Sequence, residues 1–258
     1  MNNNIIYNFW NKKRVKMKVL IKKGHTNISY RDENKFIQEK ILNKFNHKLE
    51  YSLLKDFSFT PKLISQNDKE ITWEYIDGKE YWNDDNNIKE VAQNLKILHN
   101  SKLNFPASNH AARIKEYRKI IQEKKLKIKV LNDFYKFINM TLSKMRKDTP
   151  LHNDLWFFNM IVKNKKVYFI DWEYASLGDK HFELAYYIEA NELDKKQEKL
   201  FLDTYGEYNL VYLLRHKILV NYIVVLWANA QKILPFETTK YEQRIYELYK
   251  QFKDLLAS

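Results

Sequence analysis

The residues best able to do chemistry sit in one short stretch. Leu151-His152-Asn153-Asp154-Leu155-Trp156-Phe157-Phe158-Asn159 has the form H-x-D-x-x-x-x-N, and Ile170-Asp171-Trp172-Glu173 closes an apolar run just downstream. Between them Met160 to Lys163 and Val167 to Ile170 flank Asn164-Lys165-Lys166, which reads as a β-hairpin. In an antiparallel pair the residue entering the first strand lies beside the residue leaving the second, so Asn159 and Asp171 are expected to meet. An amide oxygen and a carboxylate at one point suit Mg²⁺, which takes few protein ligands and completes its shell with water and substrate phosphates. Asp154 lies earlier in the same loop and can face the metal without ligating it, as a base for the proton of an attacking hydroxyl must. A buried His and Asp in a turn, with Asn159 as a cap, explains the first motif alone but not a further Asp at the far end of a hairpin.

The elements around this stretch change character along the chain. Val15 to Lys22, Thr26 to Asp32 and Lys35 to Lys40 read as strands, the last two joined by an Asp32-Glu33-Asn34 turn. A helical stretch is expected through Asn46 to Phe57, ended by Pro61, followed by strands over Lys62 to Ser65 and Ile71 to Ile76. After Asp77-Gly78 the pattern turns helical: Ile88, Val91, Ala92, Leu95 and Leu98 share one face. Residues 111–147 read as a long basic helix or helix pair, and residues 209–231, apolar nearly all round, as a buried helix. Strands followed by helices predict an α+β protein of two lobes, residues 1–78 and 79–258.

Composition removes several function classes. The chain has no cysteine, which excludes a disulfide scaffold, a thiolate metal site and cysteine catalysis. Met1 to Arg14 inverts the order of a secretory signal, and the apolar run Ile218 to Ala230 is interrupted by Asn221 and Asn229, so a cytoplasmic protein without stable membrane insertion is expected. The net charge of +13 invites a nucleic-acid reading, but 38 of the 45 basic residues are Lys, which favours solvated faces over dedicated phosphate reading. Residues 111–149 hold 12 basic and 4 acidic groups, whereas residues 150–191, which carry the motif, hold 4 and 6. The candidate site is therefore the one net acidic segment.

With these residues in view, the sequence resembles the choline kinase and aminoglycoside phosphotransferase superfamily, small-molecule relatives of protein kinases, and its bacterial choline kinase-like branch in particular. The resemblance covers most of the chain. It implies a protein-kinase-like fold with a small β-rich and a larger helical lobe, ATP as co-substrate, Asp154 as catalytic base, Asn159 and Asp171 as Mg²⁺ ligands, and His152 as a support of the catalytic loop. Glu74-Tyr75-Ile76-Asp77-Gly78 resembles the hinge whose backbone holds adenine, and Gly24-His25-Thr26-Asn27 the phosphate loop. Asn46-His47-Lys48-Leu49-Glu50 resembles the family's helix start, with Glu50 as the acid that pairs with the phosphate-binding lysine. The third strand departs from the pattern: that lysine position falls on Gln38 or Lys40, which share a strand face, and Lys40 is favoured because the phosphates need a cation paired with Glu50.

The acceptor implied is choline, with ethanolamine as a further substrate and phosphocholine, a precursor for phospholipid metabolism, as product. A quaternary ammonium cannot donate a hydrogen bond and is met by an aromatic cage with nearby carboxylates. Trp172, Glu173, Tyr187, Glu189 and Trp227 are the candidate lining, with Tyr174, Tyr186 and Glu183 as further material. Trp227-Ala228-Asn229-Ala230-Gln231 resembles a choline kinase segment in which two tryptophans three residues apart precede a glutamine, except that Val224 takes the first position. Thiamine kinase and aminoglycoside phosphotransferase are the alternatives on the same fold. From another class, a basic nucleic-acid-binding protein with a vestigial kinase fold competes; the leading reading has no nucleic-acid partner and a monomer or homodimer.

Overall fold

A computed structural model describes residues 18–21 and 27–257. Gly24, and with it most of the expected phosphate loop, lies outside the described residues. Five strands, β1 (Val19–Ile21), β2 (Ile28–Asp32), β3 (Lys35–Glu39), β4 (Leu63–Gln66) and β5 (Glu70–Glu74), form an antiparallel sheet in the order β1-β2-β3-β5-β4. The β2–β3 hairpin closes over Glu33-Asn34 with Asp32 opposite Lys35, and Glu33 adopts a left-handed φ of 54°. The expected helix over 46–57 shrinks to a 3-10 turn, Tyr51–Leu54. Tertiary bonds take its first residues: His47 donates its backbone N–H to Glu173 O at 2.7 Å, and Asn46 turns its side chain to the Ile41 carbonyl and to Glu173.

The chain leaves the sheet through Tyr75–Gly78. The next strand, β6 (Lys79–Glu80), pairs instead with β8 (Met160–Lys163), which forms a hairpin with β9 (Lys166–Phe169). Gly78 permits this turn, since a Cβ there would lie 2.6 Å from the Ile161 side chain and 2.7 Å from the Val162 carbonyl. The β8–β9 turn is the two residues Asn164-Lys165, both at positive φ (52° and 64°), the signature of a type I′ hairpin. A short pair, β7 (Thr149–Leu151) with β10 (Ser176–Gly178), ties the entry of the H-x-D loop to the segment beyond Asp171.

Helices make up the rest. In α1 (Asp85–Asn100) the Asp84 side chain caps the first turn, and Ile88, Val91, Ala92, Leu95 and Leu98 are fully buried, as their spacing predicts. The basic region 111–147 breaks into three helices, α2 (His110–Glu123), α3 (Lys129–Asp133) and α4 (Tyr135–Lys144), rather than one or two. Phe134, at the α3–α4 junction, redirects the chain by packing edge-on against Phe137, Tyr246 and Tyr249. There follow α5 (Lys180–Ala190), α6 (Lys195–Tyr205), α7 (Leu210–Ala230) and the amphipathic α8 (Thr239–Ala257). By length and composition α7 is apolar enough to cross a bilayer, but it packs against α2, α5 and α8 as the central core helix. One continuous hydrophobic core runs from Leu49, Tyr51 and Trp73 beside the sheet to Phe252 of α8.

Candidate active site

The H-x-D loop is anchored from below. The buried carboxylate of Glu183, on α5, accepts backbone N–H bonds from His152 (3.0 Å) and Asn153 (2.6 Å). Behind it, His99 Nε2 lies 3.1 Å from Glu183 while its Nδ1 meets the Tyr205 hydroxyl at 2.8 Å, so the imidazole donates to the carboxylate and accepts from the phenol. His152 Nε2 donates to the Ile170 carbonyl at 2.9 Å and its Nδ1 accepts the Asp154 N–H at 3.3 Å. Burial pushes the His152 pKa down, which keeps the ring neutral in the tautomer these bonds require. Asn153, at φ 69°, bonds Tyr174 O and Ser176 Oγ. A strained residue held by three bonds leaves the next one, Asp154, presented at the end of the loop.

Asn159 and Asp171 stand at the two ends of the β8–β9 hairpin. Ile170 donates its N–H to Asn159 O at 3.0 Å, extending the ladder one step past Met160 opposite Phe169. The Asn159 amide nitrogen donates to Asp154 O (2.8 Å) and Oδ2 (2.9 Å), so its amide oxygen is the atom available to a cation. Asp171 takes a left-handed φ of 61°, and its Oδ1 accepts from Gln38 Nε2 at 2.9 Å and from Asn27 Nδ2 at 3.5 Å. Burial, and then the charges of Glu173 and Asp154, raise the Asp171 carboxyl well above its ordinary range. A hard cation is what such an array of oxygen donors fits. Among the described residues no group of three or more His, Cys, Asp or Glu is placed to hold a metal ion.

The nucleotide side differs from expectation at its cation. Gln38, 4% exposed, points at Asp171, whereas Lys40 donates to the Asn67 carbonyl at 2.7 Å on the exposed edge. The two would share a face of a continuing strand, but β3 ends at Glu39, opposite Ile28, so Lys40 already follows the chain toward the β4–β5 turn. Glu50 does not pair with it: its carboxylate caps Ser52 N and accepts from Gln66 Nε2 at 2.5 Å, because no helix carries it inward. Asn27 does reach the site, and its Oδ1 also meets His47 Nε2 at 2.9 Å. In the hinge segment, Glu74 and Tyr75 spend their backbone N–H groups on Lys62 O and Asn34 O, and Ile76 is buried.

Around Asp154 only part of the expected lining is found. Trp172 is a core residue, packed 4.5 Å from the His152 ring with its indole N–H on Phe169 O. Tyr187 is fully buried and bonded to the Tyr81 hydroxyl, and Glu189 is neutralised by Arg244 (3.0 Å) and Lys217 (3.3 Å). Glu173 is buried with Asn46 and His47. Trp227 is half-buried, 6.1 Å from Phe236. Of the further candidates, Tyr186 donates its hydroxyl to Asp154 Oδ1 and Tyr174 lies under the Arg113 guanidinium at 4.6 Å, which also stands 6.0 Å from Tyr117. Arg113 Nε is buried without a hydrogen-bond partner; burial by itself lowers the Arg113 pKa, but Tyr117, Tyr174 and the charge of Asp154 outweigh it and raise the pKa overall. Arg113 is absent from the candidates read from the sequence, although two signals mark it: it is one of only seven Arg in a Lys-rich chain, and it lies one helical turn from Tyr117.

Comparison with known proteins agrees with this geometry. Residues 58–219 match the family described as "Phosphotransferase enzyme family". The chain is 51% identical to the "Protein LicA homolog" of Mycoplasma capricolum over 229 residues, covering 89% of this chain and 96% of that protein. Among solved structures, LicA in complex with AMP superposes with a TM-score of 0.73 at 20% identity, covering 90% of this chain and 91% of that one. Choline kinase LicA from Streptococcus pneumoniae gives 0.70 at 22%, covering 92% and 94%. The small antiparallel sheet, the helical remainder and the hairpin between them are thus a kinase-like fold, and the chain belongs to the phosphotransferase enzyme family.

Proposed function

We propose that this phosphotransferase moves the γ-phosphoryl group of Mg²⁺-ATP to the hydroxyl of choline, giving phosphocholine and ADP, with ethanolamine as a slower acceptor. The observation that carries the reading is the convergence of Asp154, Asn159 and Asp171 at the open end of the β8–β9 hairpin, where its first and last residues meet. The choice of acceptor is supported by the 51% identity to a LicA homologue taken with the likeness to the solved choline kinase LicA of Streptococcus pneumoniae. Asn159 and Asp171 would hold Mg²⁺, which neutralises charge on the phosphates and orients them for in-line attack. Asp154 accepts the proton of the acceptor hydroxyl as its oxygen bonds to phosphorus and the bond to ADP breaks. Tyr186, donating to the other carboxylate oxygen, and Asn159 fix the direction in which Asp154 presents its free lone pairs. The two lobes are read as residues 1–78 and 79–258, with the nucleotide between them and Asn27, Gln38 and the hinge backbone on its β side.

Gln38 supports a second reading, a nucleotide fold without turnover, because a neutral amide stands where the family carries a cation. In that case the basic surface serves binding alone, to nucleic acid for example. ADP release measured with Mg²⁺-ATP and a panel of choline, ethanolamine, thiamine and kanamycin decides. Choline-dependent release is expected; release with another alcohol only would reassign the acceptor, and none from folded protein would favour the second reading.

A further inference from the structure

Two exposed loops carry an apolar crest that the phosphotransferase chemistry does not use. Every residue from Gln122 to Lys127, at the end of α2, and from Lys232 to Glu237, between α7 and α8, is exposed. The loops are clipped together, since the Lys124 ammonium donates to the carbonyls of Asn229 (2.9 Å) and Gln231. Ile233 is 81% exposed, Leu126 and Leu234 43% each, and Phe236 38%. One exposed leucine needs no explanation; four large apolar side chains on two joined loops do. Lys125, Lys127 and Lys232 flank them against two acids, Glu123 and Glu237, and beside Leu126 a cavity of about 1020 Å³ opens along α2, lined by Lys44, Lys115, Arg118 and Lys119 with a single acid, Glu116.

We propose that this crest docks the protein reversibly on an anionic lipid bilayer. Protruding aliphatic tips enter the headgroup boundary while long lysine stems keep their ammonium groups among the lipid phosphates. Residues 111–149, with 12 basic against 4 acidic side chains, supply the complementary charge. A nucleic acid offers no partner to Ile233 and Leu234, and the patch is rich in Lys, which protein–protein interfaces avoid. The inference does not depend on which acceptor is phosphorylated. Because Phe236 stands 6.1 Å from Trp227, docking would bring the end of α7 to the membrane surface.

The test is cosedimentation of the full-length protein with equimolar phosphatidylglycerol–phosphatidylcholine vesicles and with pure phosphatidylcholine vesicles, at low and high salt, with duplex DNA as a parallel ligand. Binding to the anionic vesicles alone, lost at high salt, is the expected result. Lys125→Ala/Lys127→Ala should lower the partition coefficient roughly 30-fold, and Ile233→Ser/Leu234→Ser about tenfold. All four positions are exposed, so melting temperature and ADP release in solution should match the wild type. No sedimentation with anionic vesicles, equal binding to neutral ones, unchanged binding of the Ile233→Ser/Leu234→Ser protein, or binding to DNA but not to vesicles would each overturn the proposal.

Discussion

Replacing Glu183 with Gln asks whether the catalytic loop is held in place by the helix behind it. The native carboxylate receives three donors, Asn153 N at 2.6 Å, His152 N at 3.0 Å and His99 Nε2 at 3.1 Å, in a fully buried position. Gln preserves the shape but has one acceptor oxygen, and its NH₂ must face a donor. At least one buried N–H is left unsatisfied, at a cost of about 1–3 kcal/mol. At roughly 2–4 °C per kcal/mol for a chain of this size, the melting temperature should fall by about 2–12 °C. The same bonds place Asp154, and a displacement on the order of 1 Å costs up to about 100-fold in rate. A drop in kcat of about 10- to 100-fold is therefore expected, with the KM for nucleotide little changed. Glu183→Asp keeps the charge but withdraws it by one methylene, and should lie between. Thermal unfolding and a coupled ADP assay read both quantities; wild-type melting together with wild-type kcat in Glu183→Gln would refute the reasoning.

Other perturbations separate the remaining parts of the site. Asp154→Asn should lower kcat by about three orders of magnitude while calorimetry still detects nucleotide binding, since the proposed base is lost and the fold kept. Tyr186→Phe removes one orienting hydrogen bond and should lower kcat/KM by about 5- to 30-fold, corresponding to ~1–2 kcal/mol, with no change in melting beyond a few degrees. Gly78→Ala forces a Cβ onto the Val162 carbonyl and should cost ~1–3 kcal/mol, read as a lower urea midpoint at unchanged m-value. Acid sensitivity follows from the buried imidazoles: burial lowers His47 to about 4, His110 to about 3 and His216 to about 4. Between those values and 6.5 the unfolded chain binds more protons than the folded one, so stability falls as the pH drops below about 6.5, by up to ~1.4 kcal/mol per pH unit for each group. A melting temperature that stays flat from pH 7.5 to pH 5 would contradict this.

Much of the site was legible in the sequence because its core is local. Asn159 and Asp171 are joined by a hairpin whose turn residues and alternation fix its register, and Asp154 shares a loop with Asn159, so chain geometry alone brings the three together. The faces of α1 and α7 follow from periodicity in the same way. The structure alone settled the contacts between distant residues. Gln38 rather than Lys40 meets Asp171 across 133 positions because the strand ends one residue too early for Lys40 to turn inward. The helix expected over 46–57 yielded to hydrogen bonds with Glu173, and the basic 111–147 segment folded back where Phe134 found aromatic partners on α8. Trp172 and Tyr187 had the chemistry of a cage, yet burial gave them to the core and left Tyr186, Tyr174 and Arg113 around Asp154. Local spacing determines which groups can react; packing between elements remote in sequence decides which of them face the substrate, since burial depends on partners that no window of sequence contains.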